Sequence, residues 1–354
     1  MRSFGDPQIT FASMPPSLGA ALSRVDIGKG REELYRDQLP EVLRSLSAQT
    51  RIESIRASNA IEGIEVSEDR AERLAATSPP RVRDRSEQEF AGYRDAIDEL
   101  MREECLQAPT PLLMLRMHRQ LYSHTRIDGG KLKHEDNVIG ERGSDGVVSK
   151  VIFRPSPWQQ TEGLVQGLFE GYNQAVEAEA AHPLVLLAAF IVDLLAIHPV
   201  EDGNGRIARL LTTHELLRFG YGVARYVSLE QRIYESRNGY YTALAQSQRD
   251  WHEAKHDVWP WTEYLISVIA DAYDTFEARV SAARGSAGMG KSERVRHWIL
   301  ESAPIRFRIA DVRKGVPGVS DPTIRNVIHE LRDEGSLRAD GQGRSTAWVK
   351  SESS

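Results

Sequence analysis

The chain has 354 residues, 40% hydrophobic and 27% charged, with a formal net charge of −6. That balance describes an ordinary globular protein and excludes a disordered low-complexity chain, a collagen-like repeat and an indiscriminate polyanion binder. Cys105 is the only cysteine, so no internal disulfide can form, and a reducing, cytoplasmic setting is expected.

The opening MRSFGDPQITFASMPPSLG lacks the apolar core of a secretory signal. Its Pro, Gly and Ser content predicts an extended arm over residues 1–34. From about Glu32 to His124 apolar residues recur at helical spacing, as in LPEVLRSLSAQTRIESIRASNAI and PLLMLRMHRQLYSH. Ser67, followed by Glu68 and Asp69, suits a helix N-terminus. In IGERGSDGVVSKVIF (139–153), Gly143, Asp145 and Gly146 supply turn chemistry, and Val147, Val148, Val151 and Ile152 are β-branched. A short hairpin is predicted there, ended by Pro155 and Pro157. Helical patterning returns at Trp158 and runs to about Arg284. Within it, the apolar run Pro183–Ile197 is short for a bilayer span and is interrupted by Asp193, so it predicts a buried core helix and no membrane partner.

GSAGMG (285–290) is a flexible break. Beyond it, RVRHWILES and FRIADVRKG predict two helices. SDPTIRNVIHELRDEG predicts a third, with Ser320 capping its start and Gly335 its end. LRADGQGRSTAWVK reads as two short strands around Gly341 and Gly343. This order resembles a winged helix-turn-helix. Residues 291–350 carry twelve Lys/Arg against eight Asp/Glu, so the tail is basic while the rest of the chain is acidic.

Three motifs tempt and fail. Gly285 to Ser292 fits G-x-x-x-x-G-K-S, but the preceding FEARVSAAR reads as a helix end, whereas a phosphate-binding loop follows a buried strand. His252-Glu-Ala-Lys-His256 fits the zinc-protease pattern, yet no third ligand stands out, and a solvated helix end is expected. The run from Asp202 lacks the ligands of a calcium loop, since Arg206, Ile207 and Thr213 occupy its fifth, sixth and twelfth positions.

Residues 198–209, HPVEDGNGRIAR, survive scrutiny. His198 follows the apolar run, so its imidazole can reach out of the core. Gly203 and Gly205 tolerate positive φ and let backbone N–H groups approach an anion. A helix predicted to start near Asn204 or Gly205 would turn its positive end toward a phosphate. Arg206 and Arg209 are i, i+3 neighbours able to clasp adjacent phosphates, and Asp202 is a hard oxygen ligand suited to Mg²⁺. A base, an anion nest, a metal ligand and two arginines suit transfer of a phosphate-containing group.

The segment resembles the Fic-family signature H-P-F-x-[D/E]-G-N-G-R-x-x-R, departing from it at Val200, where the family usually has phenylalanine. GGKLKHEDNVIG is similar to the family's Gly-Lys-Phe-Arg segment, with Lys133 in place of arginine. RNGYYTALAQ and WPWTEYL resemble its closing helices. The resemblance implies a Fic-type helical bundle with a small β-hairpin flap over residues 35–284; with the linker at 285–291 and the winged helix-turn-helix-like tail at 292–354, a mainly α chain is expected. It implies AMP transfer from ATP, with Mg²⁺, to a Tyr, Thr or Ser hydroxyl of a target protein, which can be the chain itself. His198 would be the base and Asp202 the metal ligand. Gly203, Asn204 and Gly205 would bind the α-phosphate, and Arg206 and Arg209 the β- and γ-phosphates. Gly205 stands where kinase-like members carry lysine. Val148, Ser149, Lys150, Val151 and Ile152 would form a target-docking flap. Family members often pair through this core, so a homodimer is expected.

Read alone, SNAIEG (58–63) is a helix end with a glycine cap. Beside the signature it resembles the family's inhibitory motif, placed N-terminally as in its second class. Ser58, Glu62 and Gly63 would then belong to an inhibitory helix near 48–63, with Glu62 paired to Arg209. Two rival readings stay open. One is removal of AMP from a modified protein. The other is a non-enzymatic regulator that senses nucleotide and binds DNA through the helix near Asp321–Arg332 and the wing at Gly341–Arg344.

Overall fold

The computed structural model describes residues 3–5, 14–76, 80–102, 106–142, 148–285, 289–316, 318–341 and 346–351. Cys105, the hairpin turn at 143–147, linker residues 286–288 and wing residues 342–345 lie outside the described residues. Among the described residues no helix is long and apolar enough to cross a membrane. The chain divides into two compact units, residues 1–30 with 50–273, and residues 31–49 with 274–354.

The helices in chain order are α1 (Pro16–Gln38), α2 (Pro40–Ile61), α3 (Glu68–Leu74), α4 (Arg85–Arg102) and α5 (Pro111–Leu121), then α6 (Trp158–Glu177), α7 (Pro183–Ile197), α8 (Asn204–Arg218), α9 (Leu229–Glu235), α10 (Arg237–Gln248) and α11 (Trp259–Gly285). Between α5 and α6, β1 (Ile139–Arg142) and β2 (Val148–Phe153) form the predicted antiparallel hairpin.

The extended arm is a correction. Pro16 opens α1, and Leu18, Leu22 and Val25 repeat at helical spacing and are buried. Local Pro and Gly content misled because Pro is favourable at the first turn of a helix. Gly28 is required by packing, since a Cβ there would lie 2.6 Å from the Tyr273 ring.

The core of the first unit is built around α7. Residues Leu184 to Ile197 are all buried, and the flat hydropathy of this run follows from a helix surrounded on every side. Phe190 packs edge-on against Phe169 at 5.0 Å and at a 31° tilt against Tyr172 at 4.5 Å, fixing α6 alongside. Asp193 is the one charge in the run, and burial raises its pKa. It accepts hydrogen bonds from Ser3 N at 3.0 Å, Ser3 Oγ at 3.0 Å and Trp251 Nε1 at 2.7 Å, so the buried carboxyl is satisfied. Helices α4 and α5 cross at Gly92, where a Cβ would run into the Leu121 carbonyl. Gly92→Ala is therefore expected to lower unfolding stability by about 1–3 kcal/mol in a denaturant titration; an unchanged midpoint would show that the crossing can relax.

The second unit ends in α12 (Lys291–His297), β3 (Arg306–Phe307), α13 (Ile309–Gly315), α14 (Asp321–Asp333), β4 (Leu337–Asp340) and β5 (Ala347–Lys350). The strands form a sheet in the order β3-β5-β4. Ser320 stands at the N-cap position of α14 without a side-chain bond to its backbone, its hydroxyl meeting Thr323 Oγ1 at 2.9 Å instead, and Gly335 at φ 81° ends the helix. There the N–H of Gly335 and of Ser336 close onto the carbonyls of Arg332 and Leu331, a glycine-dependent helix stop. Ile299, Phe307, Val312, Ile324, Leu331 and Trp348 share one core.

Candidate active site

Helix α7 ends at His198, which adopts φ 53°, ψ 63°. A left-handed residue other than glycine costs about 1–2 kcal/mol, so the surroundings must hold it. They do so through the loop carbonyls. Val200 N donates to Asn204 Oδ1 at 3.1 Å, and Asn204 Nδ2 donates back to Val200 O at 2.8 Å. Asn137 Nδ2 reaches the same carbonyl at 3.1 Å. Val200 itself is fully buried, so valine fills the site where the Fic signature has phenylalanine. The side chain of Asn204 thus staples the loop, a different task from the phosphate contact expected of it.

The turn places the His198 ring partly exposed at the end of the buried helix. Nδ1 lies 3.3 Å from the Leu195 carbonyl, which favours the tautomer with the proton on Nδ1 and leaves Nε2 as an acceptor. The densely packed surroundings push its pKa down to about 4, and the charge of Lys133 acts in the same direction.

Gly203, at φ 89°, is the N-cap of α8. Tyr122 forms its floor, since a Cβ on Gly203 would lie 3.2 Å from the Tyr122 hydroxyl. One turn earlier on α5, His118 Nδ1 accepts from Gly130 N at 2.9 Å, and burial lowers its pKa to about 4. Asp202 is exposed, with its carboxylate 3.7 Å from Arg85 and accepting from its neighbour Gly203 N at 2.8 Å.

The two arginines of α8 part company. Arg206 is 1% exposed; it contacts Glu89 at 2.8 Å and donates to the Tyr122 hydroxyl at 2.8 Å. The expected pair of phosphate clasps is therefore uneven, because spacing on a helix fixes where a side chain starts and not where its guanidinium ends. Arg209 points to α2. Its Nε donates to Ser58 Oγ at 2.9 Å, and its Nη2 to Ser58 O at 3.0 Å and to Glu62 Oε1 at 2.7 Å. Burial works against its charge, yet Glu62, Tyr240 and Tyr93 raise its pKa above the ordinary value. Its Nη1 is buried and has no hydrogen-bond partner among the described residues. A Cβ on Gly205 would collide with the Glu62 carboxylate and come within 3.2 Å of that Nη1. Glu62 thus lies across the start of α8. It is also at the C-terminal end of α2, just before Gly63 at φ 76°, where a negative charge is disfavoured by about 0.3–1 kcal/mol; Arg209 and the positive end of α8 offset that.

Of the hairpin residues, Val151 and Ile152 are exposed on β2 at 44% and 49%. The backbones of Val148, Ser149 and Lys150 belong to the same strand, but their side chains lie outside the described residues.

His252 and His256 meet different partners. Trp251–Glu253 is a single 3₁₀ turn, and Ala254 is left-handed, so the two rings diverge. His252 Nε2 lies 2.8 Å from the Arg154 carbonyl and is exposed, as expected. His256 departs from the expectation: its side chain is buried, 2.9 Å from Ser3 Oγ and 3.5 Å from Asp193. Among the described residues no group of three His, Cys, Asp or Glu could hold a metal. The Gly285–Ser292 motif follows α11, a helix and not a strand.

The model of the Fic/DOC family matches residues 109–216. Those residues are a Fic domain. They take in α5, the hairpin, α7 and most of α8, which are the elements that build the site. Over 109 residues, 30% of this chain, the sequence is 29% identical to "Protein adenylyltransferase Fic" of Culex quinquefasciatus, and the matched stretch spans 19% of that protein. A 60-residue stretch is 45% identical to "Ribonucleoside-diphosphate reductase small chain" of Ostreid herpesvirus 1, covering 15% of this chain and 10% of that one. In structure, a Fic family protein from Desulfovibrio desulfuricans G20 superposes with a TM-score of 0.61 at 20% identity, covering 97% of this chain and 98% of that one. Likeness at that identity carries the Fic fold alone.

Sequence reasoning missed Tyr122, His118, Glu89 and Asn137. His118 and Tyr122 are one turn apart in PLLMLRMHRQLYSH. Their spacing could have marked a shared face, but not that Tyr122 on it supports Gly203, 81 residues later.

Proposed function

We propose that the chain transfers AMP from ATP to a Ser, Thr or Tyr hydroxyl of a target protein, and that Glu62 holds it at rest. The observation that carries this reading is the start of α8. An unpaired buried nitrogen of Arg209 faces Gly205, with His198 at the other end of the same loop. In the proposed reaction His198 Nε2 takes the proton of the target hydroxyl. The hydroxyl oxygen bonds to the α-phosphorus, the bond from that phosphorus to its bridging oxygen breaks, and pyrophosphate leaves. Backbone N–H groups of Gly203, Asn204 and Gly205 are aimed at phosphate oxygens by the helix start, and Arg209 neutralises the departing end. Arg206 acts through Glu89 and Tyr122 to keep the loop in shape. Asp202 is exposed enough to join the shell of a Mg²⁺, a metal usually held by one or two carboxylates together with substrate phosphates; when bound it supplies charge neutralisation on the triphosphate.

Glu62 competes for Arg209 and crowds the anion nest at Gly205, which supports the autoinhibited reading. The exposed β2 residues Val151 and Ile152 support a docking role, in which an extended target segment adds to the hairpin edge. Incubation of Glu62→Gly protein with α-labelled ATP tests the function. Label on protein means transfer, whereas loss of label from a premodified protein means the reverse reaction. The low His198 pKa has a sign that can be checked. The ring is neutral, and able to accept a proton, above about pH 4. Transfer by Glu62→Gly is therefore expected to hold level between about pH 5.5 and 7.5, where an ordinary histidine would lose most of its basic form. An acid limb centred near the ordinary histidine value would contradict it.

For the C-terminal unit we propose a winged helix-turn-helix, supported by its element order and its β3-β5-β4 sheet. Four of its arginines, Arg296, Arg306, Arg313 and Arg332, each pair with an acid, respectively Glu334, Asp340, Asp321 and Asp333, which reduces the positive charge they can offer to DNA.

A further inference from the structure

Lys133 is a lysine with only 3% of its surface exposed. Its ammonium donates to Ser156 O at 2.7 Å, Ile197 O at 2.9 Å and Asn137 Oδ1 at 3.1 Å. An ammonium has three N–H bonds, so all are used. No carboxylate pairs with it among the described residues; Asp136 acts only at longer range, and burial lowers its pKa to about 8. A buried cation of this kind gives up most of its hydration. It persists only where neutral dipoles are arranged around it, and here one of them is the carbonyl end of α7, the negative pole of the site's central helix.

The partners share a single location. Ile197 O, which also accepts from Ser156 Oγ at 3.0 Å, immediately precedes the left-handed His198. Pro199 O, immediately after it, accepts from Lys133 N at 2.9 Å. Val200 O accepts from Asn137, whose other end holds the Lys133 ammonium. Ser156, three residues beyond β2, also donates its N–H to Ala196 O at 3.3 Å. One residue therefore joins both sides of the strained turn and the foot of the hairpin: its ammonium holds Ile197 O before His198 and Ser156 O beyond β2, and its backbone N–H holds Pro199 O after His198.

We propose that Lys133 is a positioning residue, which keeps His198 in its left-handed turn and at a fixed distance from the hairpin strand that presents the target hydroxyl. The catalytic part rests on the reading of His198 as base. The mechanical part does not. Removing the ammonium takes its bonds from Ser156 O and Asn137 Oδ1 and leaves Ile197 O with Ser156 Oγ alone, which loosens the turn toward ordinary backbone. A displacement of about an ångström at a proton acceptor is enough to cost on the order of a hundredfold in rate.

Lys133→Met and Lys133→Arg, made in the full chain with Glu62→Gly, test this in two ways. In amide hydrogen exchange, Lys133→Met is expected to speed exchange in peptides covering 148–156 and 194–204, and to leave α4 and α10 unchanged. Lys133→Arg, which keeps a cation there, is expected to restore protection. In single-turnover self-modification with α-labelled ATP, Lys133→Met should lower the rate by about tenfold or more while the Kd for ATP moves by less than about threefold, and Lys133→Arg should recover most of the rate. Unchanged exchange in the two peptides would overturn the proposal, as would a general rise in exchange across the chain. Changed exchange with no transfer by any variant, the Glu62→Gly parent included, would count against AMP transfer and leave the positioning role standing.

Discussion

Replacing His198 by alanine in the Glu62→Gly protein is expected to remove AMP transfer almost completely while ATP binding survives. General base catalysis contributes roughly 10²- to 10⁴-fold, and no other described side chain stands ready to replace the ring. His118 is also neutral at ordinary pH, but its Nδ1 is committed to Gly130 and it supports the loop from behind. The ring of His198 makes no side-chain contact that α8 depends on; what shapes the turn is the backbone bonding of Ile197, Pro199 and Val200. The Kd for ATP, measured by calorimetry, should therefore change little. Loss of ATP binding in step with activity would mean that the ring is structural, and retained transfer would mean that another group takes the proton.

Glu62→Gly alone is expected to raise self-modification over the unaltered chain. Arg209 donates one charge-assisted bond to Glu62 and two bonds to Ser58. Losing the carboxylate frees Nη2 for phosphate and opens the space above Gly205. A hydrogen bond to a charged group contributes about 1.5–3 kcal/mol, which corresponds to roughly ten- to hundredfold in productive ATP binding. Glu62 is a third exposed, so screening by water argues for the lower half of that range. Glu62→Gln is expected to give an intermediate gain, since an amide oxygen can still accept from Arg209 without the charge. Equal labelling by all three proteins would place the restraint somewhere other than this pair.

The architecture of the site is largely legible in the sequence. HPLVLLAAFIVDLLAI is apolar at every phase of a helix, so a buried post ending at His198 follows, and α7 has those limits. A helix start near Asn204 or Gly205 is expected from the sequence, and α8 begins at Asn204. Less legible was the use of each polar side chain. Asn204 turned inward to Val200, and Arg206 turned toward Glu89, because their partners lie on loops and helices whose approach no local pattern encodes. The α1 helix was missed for a related reason: its turn-forming residues were weighed locally, while Leu18, Leu22 and Val25 act through distant packing. His256 was assigned to solvent because its neighbours are polar, yet Asp193 is a neighbour only in space.

The contact of Ser3 with Asp193 and His256 has a bearing on how the molecule is made. Ser3 is separated from Asp193 by 190 positions and from His256 by 253. During synthesis Ser3 leaves the ribosome long before α7, so when α7 emerges two donors to Asp193 already exist while Trp251 and His256 do not. Closing so long a loop is slow compared with forming any single helix. The post that presents His198 must therefore wait in an incomplete core until Trp251 and His256 arrive, which makes the assembly of the catalytic helix a late, long-range event in folding.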